Sequence, residues 1–242
     1  MPEYYKYTSR IGINAHCYLE IALINYYHAI IKYEDLENNN FLQDGEYIDY
    51  SIEKDIMATI VFSSMALESY LNNYISGCIG DDNYYKVYEK LSWIEKLHLI
   101  IHFIFHQEFN KDHVCFTLLR WLEKTRNELI HNKPKFHHFQ SDLTLEELEK
   151  IEKSEEYKAH MELIEKYYNK QEIKDTMKAG FDSLRAVKEL ALLIDKNDSN
   201  ANVISLLFHP QLIGKSEIEE VKRKIYPLIG IKVEELKLSM IE

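Results

Sequence analysis

At 242 residues, 46 % of them apolar, the chain suits one large domain or one domain with a substantial extension. Seven glycines and four prolines are too few for an architecture of sheets and tight turns, so helices joined by polar loops are expected. A net charge of −11 repels nucleic acid at long range, which excludes a general nucleic-acid-binding surface and leaves only a local basic patch or a basic partner.

The chain opens on MPEYYKYTSR, which lacks the apolar centre of a signal peptide. The longest apolar run, Leu97 to Phe105, is too short to span a bilayer. Cys17, Cys78 and Cys115 are scattered and form no CxxC pair, which fits reduced core thiols. A cytoplasmic location with no membrane contact is the expectation.

A first helix is predicted over about Ile11 to Tyr33. A polar stretch with Asn38-Asn39-Asn40 and Asp44-Gly45 breaks it. Ser51 is a plausible N-cap for a second helix reaching Ser76, and Glu53 suits its first turn. Ile56, Ile60, Leu67, Leu71 and Tyr74 recur at helical steps. Met57, Val61 and Met65 form a second apolar stripe, so this reads as a central helix. Glu68 continues that stripe, and a buried carboxylate needs a partner.

A third helix is expected over Tyr84 to His106. Asp112 can cap a fourth, which runs to His131 and is stopped by Pro134. Thr144 and Glu147 have capping-box spacing, predicting a charged helix from there to about Asn169. A separate amphipathic helix follows over Ile173 to Asp195. The remainder holds a short apolar piece, Val203 to Phe208, and a last helix near Ser216 to Tyr226. The prediction is thus an all-α chain of about seven helices, a bundle over residues 1–196 with a C-terminal tail, 197–242, packed on it or on a partner.

Chemistry concentrates at the end of the fourth helix. Cys115, Leu118, Leu122, Thr125 and Leu129 form its core face, and Arg126 flanks it. Asn127 and His131, four apart, share the opposite side. A histidine can deprotonate a ribose 2′-hydroxyl or protonate a leaving oxygen near neutral pH. An arginine can hold a phosphate by two hydrogen bonds and stabilise the charge that develops on it. An asparagine can orient either group. The helix C-terminus favours an imidazolium. Lys133, Lys135, His137 and His138 follow at once as a local basic stretch for a phosphate backbone.

The stretch WLEKTRNELIHNKP, residues 121–134, resembles the Arg-x4–6-His motif of the HEPN superfamily, here in an Arg-Asn-x3-His form. FSSMALESYLNNYI, residues 62–75, resembles the helix that packs against the motif helix in that fold. The two stretches cover about a tenth of the chain. The resemblance implies a HEPN-like helical bundle that dimerises, with motif residues of two protomers meeting in one cleft. It further implies a metal-independent endoribonuclease of a toxin–antitoxin or antiviral-defence system, without cofactor. RNA is the implied substrate, and an antitoxin or defence protein a partner. In those terms Arg126 binds the scissile phosphate, Asn127 positions it and His131 is the acid–base residue. Glu68 is a supporting candidate that could orient Arg126 from the neighbouring helix, and Lys133 and Lys135 are substrate-binding candidates.

Five residues of helix rotate by about 140°, so Arg126 and His131 of one chain do not point the same way. The helix end loosens, the arginine bends across, or two chains cooperate; a dimer is the simplest of these.

Competing readings attach to every feature. Arg126, Asn127 and His131 can form an ordinary solvated helix end, and Glu68 a structural ion pair. His98, His102 and His106 fall at i, i+4 and i+8, where two could share a zinc, but no other ligand type joins them at a recognisable spacing. The tyrosine pairs could stack RNA bases, yet half-buried amphipathic packing explains them as well. At the level of the whole protein, the alternative to a ribonuclease is a non-catalytic helical interaction module of a defence or regulatory complex. No phosphate-binding glycine loop, nucleophile elbow or zinc-protease motif supports another enzyme class.

Overall fold

Apolar side chains recurring at three- and four-residue steps, with few glycines or prolines to interrupt them, build every regular element here as a helix. The structure is a computed structural model, and it describes residues 4–38, 45–108, 110–130, 154–198, 201, 203–208 and 215–232. In chain order the α-helices are α1 (Tyr4–Asn38), α2 (Gly45–Ile79), α3 (Asp81–Asn83), α4 (Trp93–His98), α5 (Val114–Ile130), α6 (Glu155–Asn197), α7 (Val203–Phe208) and α8 (Lys215–Ile229). Wider π-helical turns continue α3 through Tyr84–Tyr88 and α4 through Leu99–Ile104. Among the described residues there are seven α-helices of six or more residues and no strand, so the all-α bundle holds.

Two long helices form the base. Tyr18 meets Phe62 with ring centroids 6.4 Å apart, the Thr59 hydroxyl lies 3.4 Å from the Ala22 carbonyl, and Lys32 pairs with Asp55 at 2.6 Å. Partner numbers fall as numbers in α1 rise, so α1 and α2 run antiparallel. In α6 they rise together with those in α2: Gly180 abuts Ile56, Ser183 lies 3.4 Å from Ser63, and Tyr74 donates to Asp198 at 3.0 Å. Hence α2 and α6 run parallel. Ile56, Ile60, Leu67, Leu71 and Tyr74, the stripe read from sequence, are all buried. Each aliphatic side chain sealed this way contributes about 1.5–3 kcal/mol.

The second α2 stripe does not join them. Met57 is 45 % exposed, and Val61, Met65 and Glu68 are only partly covered. The reason is that α1 and α6 occupy neighbouring sectors of α2 and leave the third side to solvent.

Four boundaries differ from the expectation. Helix α1 already starts at Tyr4, and α2 starts at Gly45, so Ser51 lies inside it rather than capping it. The predicted helix Tyr84–His106 is divided at Glu89–Ser92, where Ser92 and Glu95 form a reciprocal capping box that starts α4. The second piece ends at His106, whose φ of 55° is left-handed, with Gln107 N–H returning to the Ile101 carbonyl at 3.0 Å. The two helices expected around Asn169 and Ile173 are a single α6 of 43 residues, because the polar residues between them include no glycine or proline to end it. The Thr144–Glu147 capping box lies outside the described residues.

Helices α7 and α8 pack on α1 and α6. Asp195 caps α7, accepting from the Val203 and Ile204 amides at 2.5 and 2.9 Å. Buried His16 donates Nδ1–H to the Leu207 carbonyl at 2.9 Å. Its Nε2 lies 3.0 Å from Glu20, a charge contact outside hydrogen-bond geometry. Tyr226 donates to the Phe208 carbonyl, and burial, with a smaller push from Glu20, raises its phenol pKa. No helix among the described residues is long and apolar enough to cross a membrane.

Candidate functional site

Helix α5 starts on a turn organised by Asn110, whose side chain accepts from the Asp112 amide at 2.9 Å. The cap itself falls one residue later than Asp112. His113 Nδ1 accepts from the Cys115 amide at 3.2 Å, satisfying one of the free donors of the first turn. Cys115, Leu119 and Leu122 form the fully buried stripe, whereas Leu118, Thr125 and Leu129 are half-buried beside it. This face packs on α2, α4 and α6. Burial also pushes the Cys115 thiol well above its ordinary pKa, so it stays protonated and apolar.

Arg126 stands at the next position of that stripe, after steps of four, three and four from Cys115. It is half-buried, and its Nη1 donates to the Asn127 side-chain oxygen at 3.0 Å. Asn127 is exposed. The arginine therefore lies along the end of the core and shows its guanidinium at the solvent edge, where an exposed amide steadies it. Fixed side by side, the two groups offer several N–H donors to an anion. His131, Lys133 and Lys135 lie outside the described residues, as do His137 and His138.

Glu68 is half-buried on α2. No hydrogen bond or ion pair joins it to Arg126 among the described residues; its charge acts on Lys96 of α4. Lys96 is 1 % exposed and donates to Asn72 at 2.7 Å, and the same Asn72 oxygen accepts from Tyr84 at 2.6 Å. Burial lowers the Lys96 pKa, and the carboxylates of Glu68, Glu89 and Glu123 pull it back up. Glu123 also accepts from the Trp93 amide at 3.1 Å, tying α4 to α5. Glu68 thus acts on the same buried cation as Glu123 of α5.

The three histidines spaced by four lie in three different backbone settings. His98 ends α4, His102 sits in the wider π turn and His106 reverses the chain. Among the described residues, no group of three or more His, Cys, Asp or Glu is placed to hold a metal ion.

One feature escaped the sequence reading. Lys111, Phe116, Thr117, Arg120, Trp121 and Lys124 line an open groove of about 550 Å³ along α5. Its signal was present, two cations and a tryptophan within five residues of one amphipathic helix, but the −11 overall charge masked it.

Comparison with known protein families, with curated proteins and with solved structures finds no match for this chain.

Proposed function

We propose that the protein is a metal-independent endoribonuclease of the HEPN type, acting in a toxin or antiviral-defence system. The observation that carries the reading is the Arg126–Asn127 pair, held together at the solvent edge of the last turn of α5 with no core-filling task for either polar head. Such a pair suits the phosphate of a ribose–phosphate chain. In the proposed reaction the 2′-oxygen attacks the adjacent phosphorus, the bond from phosphorus to the 5′-oxygen breaks, and a 2′,3′-cyclic phosphate and a 5′-hydroxyl remain. His131 takes the 2′-hydroxyl proton or supplies the one the leaving oxygen needs, and Arg126 neutralises charge on the phosphoryl oxygens. Lys133 and Lys135 hold flanking phosphates. Two copies meeting through the ends of their α5 helices would bring Arg126 of one beside His131 of the other. Cytoplasmic RNA as substrate and a protein antitoxin or defence partner complete the reading.

Incubating the purified protein with mixed transfer and messenger RNA in excess EDTA tests it. Cleavage by wild type, lost in both His131→Ala and Arg126→Ala, supports the proposal. Absence of cleavage with all three proteins alike removes catalysis by the isolated chain. A second reading, a non-catalytic interaction module, draws support from Ile130, 47 % exposed at the end of α5 where a partner could cover it. It predicts intact RNA and a stable complex with another protein.

A further inference from the structure

The groove on α5 combines what a flexible polyanion with planar rings requires. Lys111, Arg120 and Lys124 are exposed cations, and Trp121 and Phe116 are half-buried aromatics within the same concavity. Among the described residues no carboxylate lines it. Glu128, one turn beyond, reaches Lys124 at 3.9 Å, an exposed pair worth little in water. In a chain of net charge −11, a groove whose described lining holds three cations and no acid is a local reversal of sign. Trp121 is only half-buried, so part of its indole remains accessible to a stacking ring.

Direction matters as well. Arg120, Lys124 and Asn127 follow one another at steps of four and three, so they share one side of α5, and His131 is four residues further in sequence. Arg120 and Lys124 are separated by about 6 Å along the axis. The groove thus leads along the helix toward the Arg126–Asn127 pair, about one turn past Lys124.

We infer that this groove is the binding track for single-stranded RNA, with a base stacked on Trp121 and backbone phosphates on Lys111, Arg120 and Lys124. The choice of RNA rests on the ribonuclease reading; the preference for a single strand rests on the groove, because only an unpaired base exposes a face to the indole. A duplex keeps its bases stacked on each other and offers phosphates alone.

Trp121 also supplies the probe, since the only other tryptophan, Trp93, is buried in the core. In a Trp93→Phe, His131→Ala chain, titration with a ten-residue oligouridylate in EDTA should quench Trp121 emission saturably, and less so as salt rises. Trp121→Ala, followed by anisotropy of a labelled oligonucleotide, should weaken binding by about tenfold or more, with Trp121→Phe retaining most of it. Arg120→Ala with Lys124→Ala should weaken binding and flatten its salt dependence. Glu128→Gln, which removes a repelling charge and releases Lys124 from its exposed ion pair, should tighten it. No saturable quench, equal or tighter binding of a duplex or of polyglutamate, or indifference to the Trp121 and Arg120/Lys124 changes would each overturn the inference. Binding in the groove without cleavage by the wild-type chain would instead sink the ribonuclease reading and leave the track standing. Cleavage that ignores every groove variant would do the reverse.

Discussion

Gly180 of α6 faces Ile56 of α2 so closely that a β-carbon on it would lie 2.7 Å from Ile56 Cδ1 and 2.9 Å from Cδ2 of Tyr26. Three helices converge there, and the missing side chain sets how near they approach. Gly180→Ala gains about 1 kcal/mol of helix propensity but forces the Tyr26 ring and Ile56 apart, a strain of about 1–3 kcal/mol. We expect net destabilisation in urea unfolding, deepening with Gly180→Val. Adding Ile56→Val to Gly180→Ala should recover part of the loss, since the tyrosine contact persists. Unchanged or raised stability of Gly180→Ala would show that the helices simply shift.

Lys96 is surrounded by Glu68, Glu89 and Glu123. Lys96→Met keeps the stem volume but strips those carboxylates of their cation. A loss of about 1–3 kcal/mol is expected, because the Asn72 oxygen loses its ammonium donor and the carboxylates lose their cation, while relief of the burial cost that lowers the Lys96 pKa offsets part of it. Urea unfolding at pH 7 would measure the difference. A variant as stable as wild type would mean the buried ammonium contributes nothing net.

Tyr26 gives an alkaline signature. Burial, with a smaller push from Asp182, raises its phenol from 10.0 to about 12. Because the folded form holds the proton more tightly than the unfolded form, its contribution is complete below pH 10 and is lost as pH rises toward 12. Wild type should therefore lose about 2–3 kcal/mol over that interval relative to Tyr26→Phe. Parallel stability curves for the two proteins would refute the assignment.

Asp195 holds two amides of α7 with two oxygens. Asp195→Asn retains one acceptor and Asp195→Ala none, so losses of about 1 and about 2 kcal/mol are expected in that order. Burial raises the Asp195 pKa despite both amides, so neutralising it has a favourable side that keeps the asparagine loss small. Equal losses for the two variants would show that the oxygen asparagine retains contributes nothing, and no loss in either that the caps carry no energy.

At the α5 terminus, Asn127→Ala removes the exposed acceptor of Arg126. Folding stability should stay within about 0.5 kcal/mol, as for other surface changes. Under the ribonuclease reading, cleavage should fall by about tenfold to a hundredfold, because an unsteadied arginine is less well placed for the phosphate. Arg126→Lys should fail to restore full activity, since an ammonium lacks the planar fork. Full activity of Asn127→Ala would remove the positioning role.

Periodicity made the principal core legible. Ile56 through Tyr74 stand at steps that only a helix can place on one side, and they are buried. Met57, Val61 and Met65 carry the same hydrophobic content, yet burial depends on whether a neighbouring helix arrives, which local sequence does not specify. Leu118 and Leu119 differ by one 100° step, and the packing of α6 selected Leu119. The break before α4 was readable, because Ser92 and Glu95 have capping-box spacing. The π turns were not, since apolar residues such as Leu99, Ile100 and Ile101 fit either winding. At the site, the placing of Arg126 and Asn127 on one helix with the Cys115 stripe followed from the apolar spacing along it. The link from Glu68 to Lys96 did not, because it joins helices whose crossing no spacing encodes.

The unbroken run of α6 has a consequence for how this chain can vary over generations. Adding one residue between Gly180 and Ser183 would turn everything beyond it by 100° and advance it by 1.5 Å. The Ser183–Ser63, Asp198–Tyr74 and Asp195–α7 partnerships would all fall out of phase together. Length changes are therefore confined to the segments between helices, while α6 must be inherited as a block of fixed count.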